Sequence, residues 1–189
     1  MLDFKLLREK RVTIVRMSSE LSREDLKQAT HDMLDTVLNL ISDCKDADVT
    51  FIPEDPLAND PYTFDPEEVH RPWTLGHVIV HLTASLEESA ALAAEMARGV
   101  EFHGRSRYET TWESILTLEQ CRQRLEESRR ICLGSLQMWP QAPHFEINYC
   151  PWTGSGKIDA RARYVLGLKH ADDHLGQIAD IVQQSSRQR

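Results

Sequence analysis

An all-α four-helix bundle with long inter-helix loops is the fold class predicted by three features of the 189-residue sequence. Apolar residues recur at helical spacing in four separate stretches, the segments between them are rich in proline, glycine and short polar residues, and strand-like alternation is almost absent. The chain is read as a single domain over residues 1–189, with an N-terminal extension over 1–21 and a frayed tail over 185–189.

Ser22 opens the first helix, and Asp25 three residues on completes a capping box. Leu26, Met33, Leu34, Val37, Leu38 and Ile41 mark its apolar face, which runs to about Cys44. Upstream, Leu2, Leu6 and Leu7 suit a short helix while Val12-Thr13-Ile14-Val15 is β-prone, so residues 1–20 stay open between the two. Residues 45–72 hold Pro53, Pro56, Pro61, Pro66 and Pro72 among many Asp and Asn, a density that excludes a regular helix. A loop of that length in a compact domain serves as a lid or a crossover.

The second helix begins after Trp73 with Thr74 as N-cap, buries Val78, Ile79, Leu82, Leu86 and Leu92, and stops at Gly99. After an irregular stretch, 99–116, Thr117 and Gln120 form the capping box of the third. Leu118, Cys121, Leu125, Ile131, Leu133 and Leu136 are its core candidates, and Trp139-Pro140 ends it. Residues 140–157 carry Tyr149, Trp152 and a flexible Gly154-Ser155-Gly156 turn too short for a phosphate-binding loop. Asp159 caps the fourth helix, which runs through Val165, Leu166 and Leu168 to Ile178, Ile181 and Val182, and the polar residues from Gln183 onward are expected to fray.

Composition narrows the function. Net charge is −8, so nucleic acid is repelled, and the arginines at 122, 124, 129 and 130 alternate with acids on one helix as a solvated face. No apolar run reaches the length of a membrane span, and the start lacks the order of a secretion signal, so a cytoplasmic protein is the expectation. Cys44, Cys121, Cys132 and Cys150 show no metal-ligand spacing and read as reduced thiols.

Histidine supplies the chemistry. His170 and His174 are four apart on the fourth helix, one turn above each other, with Gln177 following on the same stripe. His77 and His81 repeat the spacing on the second helix, against roughly 0.3 such pairs expected for 8 histidines in a chain of this length. Imidazoles one turn apart reach a single ion, and neighbouring helices allow a histidine from one pair to join the other. Three imidazoles leave a coordination position open, the arrangement of a catalytic site. The alternative is packing or surface histidine, and His81, within Val78-Ile79-Val80-His81-Leu82, would then need a polar partner beside the core. Neither an HExxH helix nor paired Glu-x-x-His elements occur: Glu67 to His70 alone has the latter spacing, and it lies among prolines.

Trp73-Thr74-Leu75-Gly76-His77-Val78-Ile79-Val80-His81-Leu82, with His170-x-x-x-His174-x-x-Gln177 far downstream, resembles the DinB-like family of four-helix bacterial proteins. The shared features are a Trp-Ser/Thr helix start with histidine eight residues on, an HxxxHxxQ last helix, and a bundle in which these three histidines hold a divalent metal. The resemblance implies His81, His170 and His174 as ligands, with His77, where the family often has Glu, as a possible addition. Relatives in the family include metal-dependent transferases and isomerases that use small thiols such as bacillithiol or mycothiol. It therefore implies a metal-dependent S-transferase or isomerase with zinc or nickel, a low-molecular-weight thiol, a small-molecule substrate and a homodimer. In that reading Asp173 and Gln177 orient a ligand or bound group, Glu88 moves a proton and Arg163 receives a substrate carboxylate, the alternative for Glu88 and Arg163 being solvated surface charge. A non-catalytic metal- or small-ligand-binding stress-response bundle, or a purely structural scaffold, is the competing reading.

Overall fold

The computed structural model describes residues 2–60, 63, 66–105 and 110–188; Pro61 of the proline-rich stretch and positions 106–109 of the 99–116 segment lie outside them. Among the described residues the chain is all-helical. Its helices are α1 (Lys5–Arg8), α2 (Ile14–Ser18), α3 (Arg23–Leu40), α4 (Asp46–Val49), α5 (Leu75–Ala97), α6 (Leu118–Gln137) and α7 (Ala160–Ser186). The only pairing of strand type among them is an isolated antiparallel bridge between Tyr149 and Ile158. Among the described residues no helix is long and apolar enough to cross a membrane.

Capping chemistry sets most boundaries. Ser22 Oγ accepts the Asp25 N–H at 3.1 Å while Asp25 accepts the Ser22 N–H at 2.8 Å, and Thr117 with Gln120 repeats the device at α6. Thr74 caps α5 and Asp159 caps α7 in the same way. Gly99, at φ 89°, closes α5: its N–H bonds Met96 O and the Val100 N–H bonds Glu95 O, a Schellman stop.

Four places depart from the sequence pattern. The β-prone Val12–Val15 stretch is helical from Ile14, because Thr13 Oγ1 accepts the Arg16 N–H and turns the chain. The 45–72 segment contains one helical turn, α4, since its prolines begin only at Pro53. On α6, Ser128, Cys132 and Ser135 are buried while Ile131 and Leu133 are only half-buried. Small side chains there let α6 approach its neighbours, with Ser128 Oγ donating to Thr83 O and Tyr164 Oη to Cys132 O. The fourth departure is at the C-terminus, where α7 continues to Ser186: Gln184 accepts the Glu54 N–H at 2.8 Å and donates to Glu54 O at 3.1 Å, tying the last turn to the long loop.

α5 is the central element, packed on both α6 and α7, and α3 closes the other side against the same two helices. It is buried almost all round, with Ala90, Ala93, Ala94 and Ala97 keeping its surface low. Its contact with α6 includes a buried ion pair between Glu87 and Arg124, and Arg124 Nε also donates to Thr83 Oγ1. The contact with α7 depends on Gly167, where a Cβ would lie 2.5 Å from Ser89 Cβ and 3.3 Å from Ser85 O. That close approach brings the two histidine-bearing helices together.

Candidate metal centre

His81 on α5 meets His170 and His174 on α7 one to two turns beyond the Gly167 contact. His170 Nε2 is 2.8 Å from His81 Nε2 and 3.3 Å from His174 Nε2, and the ligand atoms of all three lie within 4.8 Å of one another. Gln177 Oε1, which can only accept, takes the His174 Nδ1–H at 2.8 Å and so leaves the Nε2 lone pair facing the cluster.

The electrostatics favour neutral rings. Burial first, then the neighbouring His174 and His81, push the His170 imidazole down to about 4, and burial also lowers His174 below its ordinary value. Uncharged imidazole is the ligand form. A neutral ring can satisfy one neighbour through N–H···N, but three Nε2 atoms turned on each other cannot all be satisfied by two-centre bonds. One cation with open coordination positions satisfies all three. Nitrogens held at 2.0–2.1 Å around a tetrahedral ion are separated by about 3.3 Å, which the His170–His174 spacing meets and the His170–His81 spacing approaches from below.

An aromatic wall encloses this point. The Trp73 ring lies 4.7 Å from His81 and 6.0 Å from His174 between centroids. His77 is stacked between Trp73 at 4.3 Å and Trp112 at 4.8 Å, and Arg71 covers the outer face of Trp112 at 5.2 Å. The ring of His77 is thus part of the wall, while the cluster of three is made by His81, His170 and His174. Nothing in sequence spacing separates His77 from His81, and nothing local marks Trp112 as their neighbour.

The remaining candidates divide. Asp173 is exposed and pairs with Lys169, with Arg8 3.6 Å away; its charge nonetheless favours the protonated form of His170 and His174. Arg8 also pairs with Asp172, anchoring the N-terminal segment to α7 beside the site. Glu88 and Arg163 are half-buried and line a cavity of about 720 Å³ whose wall includes His170 and Asp173. Arg163 Nη1 donates to Ser89 Oγ at 3.0 Å, and burial lowers its pKa, so it is not a solvated surface charge. The far side of the cavity comes from the N-terminal segment and the turn at Trp152–Ser155, a contribution that sequence periodicity does not reveal.

Histidines from two helices, meeting beside a cavity in an all-helical frame, define a protein suited to binding a divalent metal. The profile of the DinB superfamily matches residues 21–178, and the chain belongs to that superfamily. Comparison with curated proteins found no match, and comparison with solved structures found none either.

Proposed function

We propose that the protein is a divalent-metal-dependent enzyme that transfers or isomerises a small substrate with the help of a low-molecular-weight thiol, working as a four-helix bundle in the cytoplasm, as a homodimer. The observation that carries this reading is the convergence of three imidazoles at the edge of a cavity large enough for a small molecule. His81, His170 and His174 would hold the ion, and zinc or nickel suits an all-imidazole set. Such an ion supplies Lewis acidity and lowers the pKa of a thiol or water bound to it. The chain's own contributions are separate. Gln177 holds the His174 ring in one tautomer, Trp73 and the stacked His77 and Trp112 keep water from one side of the cluster, and Glu88 stands on the cavity wall, where it can accept a proton.

Two measurements test the reading. Untagged protein purified without chelator should carry close to one equivalent of metal per chain. Thiol-dependent transfer to a panel of electrophiles should then occur with wild type and be abolished in His174→Ala. Bound metal with equal background rates in both proteins would leave a metal-binding bundle without turnover, and absence of metal would end the proposal.

A further inference from the structure

The cavity beside His170 is built differently from the rest of the surface. The chain has a net charge of −8, yet three cations, Lys10, Arg163 and Lys169, line this cavity against two carboxylates, Glu88 and Asp173. Lys169 is taken up by Asp173. Glu88 and Tyr149 act on Arg163 only through space, and its buried Nε has no hydrogen-bond partner among the described residues. A guanidinium N–H withdrawn from water without an acceptor is costly, so an acceptor belongs at that atom. The Lys10 ammonium likewise has no partner among the described residues.

Lys10 carries a second peculiarity. Its φ is 55°, the left-handed region that favours glycine, at the residue that ends α1: the Lys10 N–H bonds Leu7 O at 3.0 Å and the Arg11 N–H bonds Leu6 O at 2.9 Å. Lysine keeps a strained position that glycine would fill without strain, and its side chain stands on the cavity rim. The same segment presents Leu7, Val12 and Ile14 to the cavity, facing Leu166 of α7. All of these N-terminal residues precede residue 21, where the superfamily match begins.

We infer that this cavity binds a small amphipathic monocarboxylate, whose acid group is recognised by Arg163 with Lys10 adding charge, and whose apolar body lies against Leu7, Val12, Ile14 and Leu166. This deepens the enzyme reading above, on which it rests in one respect only: that the ligand is the substrate of the His170 site. The geometry also makes Lys10 and Arg163 residues that determine specificity through contact with the ligand, since both line the space His170 opens into.

The test uses full-length protein, metal-free and zinc-loaded, titrated calorimetrically with 3-phenylpropionate and with its uncharged amide. The acid should bind about tenfold more tightly than the amide in both forms, as one charge-assisted contact provides. Arg163→Gln should abolish the preference. Because a buried arginine can be needed for folding, Lys10→Gly is the second variant: it places glycine at a positive φ, should keep the melting temperature, and should cut the preference several-fold. Equal binding of acid and amide, a preference unchanged in Lys10→Gly and Arg163→Gln, or a preference seen only with zinc bound would each overturn the inference. Failure of the wild-type protein to bind metal would sink the metalloenzyme reading while leaving the acid preference in place, so the two are separable.

Discussion

Gly167→Ala tests whether the spacing of α5 and α7 sets the metal centre. The added Cβ would lie 2.5 Å from Ser89 Cβ, 2.8 Å from Ser89 Oγ and 3.3 Å from Ser85 O. Non-bonded carbons rest about 3.5–4.0 Å apart, so the helices must part by about 1 Å at this point. Overpacking of this kind costs about 1–3 kcal/mol, and replacing glycine within a helix returns about 1 kcal/mol. The net loss of stability is therefore only about 0–2 kcal/mol. The effect on the site is larger. His170 lies one turn from Gly167, and its 2.8 Å separation from His81 would widen past the roughly 3.3 Å that a tetrahedral ion needs. Since metal–ligand distances tolerate only about 0.2 Å, zinc affinity should fall by about tenfold or more. Competition with a chromophoric chelator, read beside a thermal melt, measures both quantities. Ser89→Gly combined with Gly167→Ala removes the two shortest contacts, leaving only Ser85 O at 3.3 Å, and should restore most of the affinity relative to Ser89→Gly alone. Wild-type zinc affinity in Gly167→Ala, or no recovery in the double variant, would refute the argument.

Three further outcomes are expected. Gln177→Met removes the acceptor for His174 Nδ1–H and should weaken metal binding by about 10–100-fold with little change in melting temperature, measured by the same competition. Glu87→Ala removes the buried carboxylate from half-buried Arg124, which keeps its bond to Thr83 Oγ1, and should destabilise the fold by about 1–3 kcal/mol in denaturant titration, more than Glu87→Met combined with Arg124→Met. For the metal-free protein, the His170 imidazole is held at about 4 against 6.5 when unfolded, so the unfolded chain binds more protons between those values. Stability from this group is complete above pH 6.5 and is lost as pH falls toward 4; the melting temperature should drop across that window, less so in His170→Gln.

Most helix boundaries are legible locally, because a cap is made by residues three apart and a Schellman stop by residues five apart. Ser22 with Asp25, Thr117 with Gln120, Thr74, Asp159 and Gly99 all mark ends that the structure repeats. The same short range puts His170, His174 and Gln177 on one stripe. Periodicity misjudged the inner face of α6, where Ser128 and Cys132 displace Ile131 and Leu133, because the fit against a neighbour depends on shape as well as hydrophobicity. It left residues 1–20 open between helix and strand; α1 falls where Leu6 and Leu7 suit a helix, and both short helices gain their place from Phe4 and Ile14 packed on the core and from Arg8 held by Asp172.

The sequence by itself determined the helical class, the caps and the histidine pairs, since each follows from the 3.6-residue turn and from hydrogen bonds within a few positions. Resemblance, not spacing, distinguished His81 from His77. Only the tertiary structure decided that His81 meets His170 across 89 residues while His77 is enclosed by two indoles, and that Lys10 and Arg163 face one cavity. Those outcomes depend on how closely α5 and α7 can approach at Gly167 and on how a short N-terminal segment folds back on them, which no local pattern encodes.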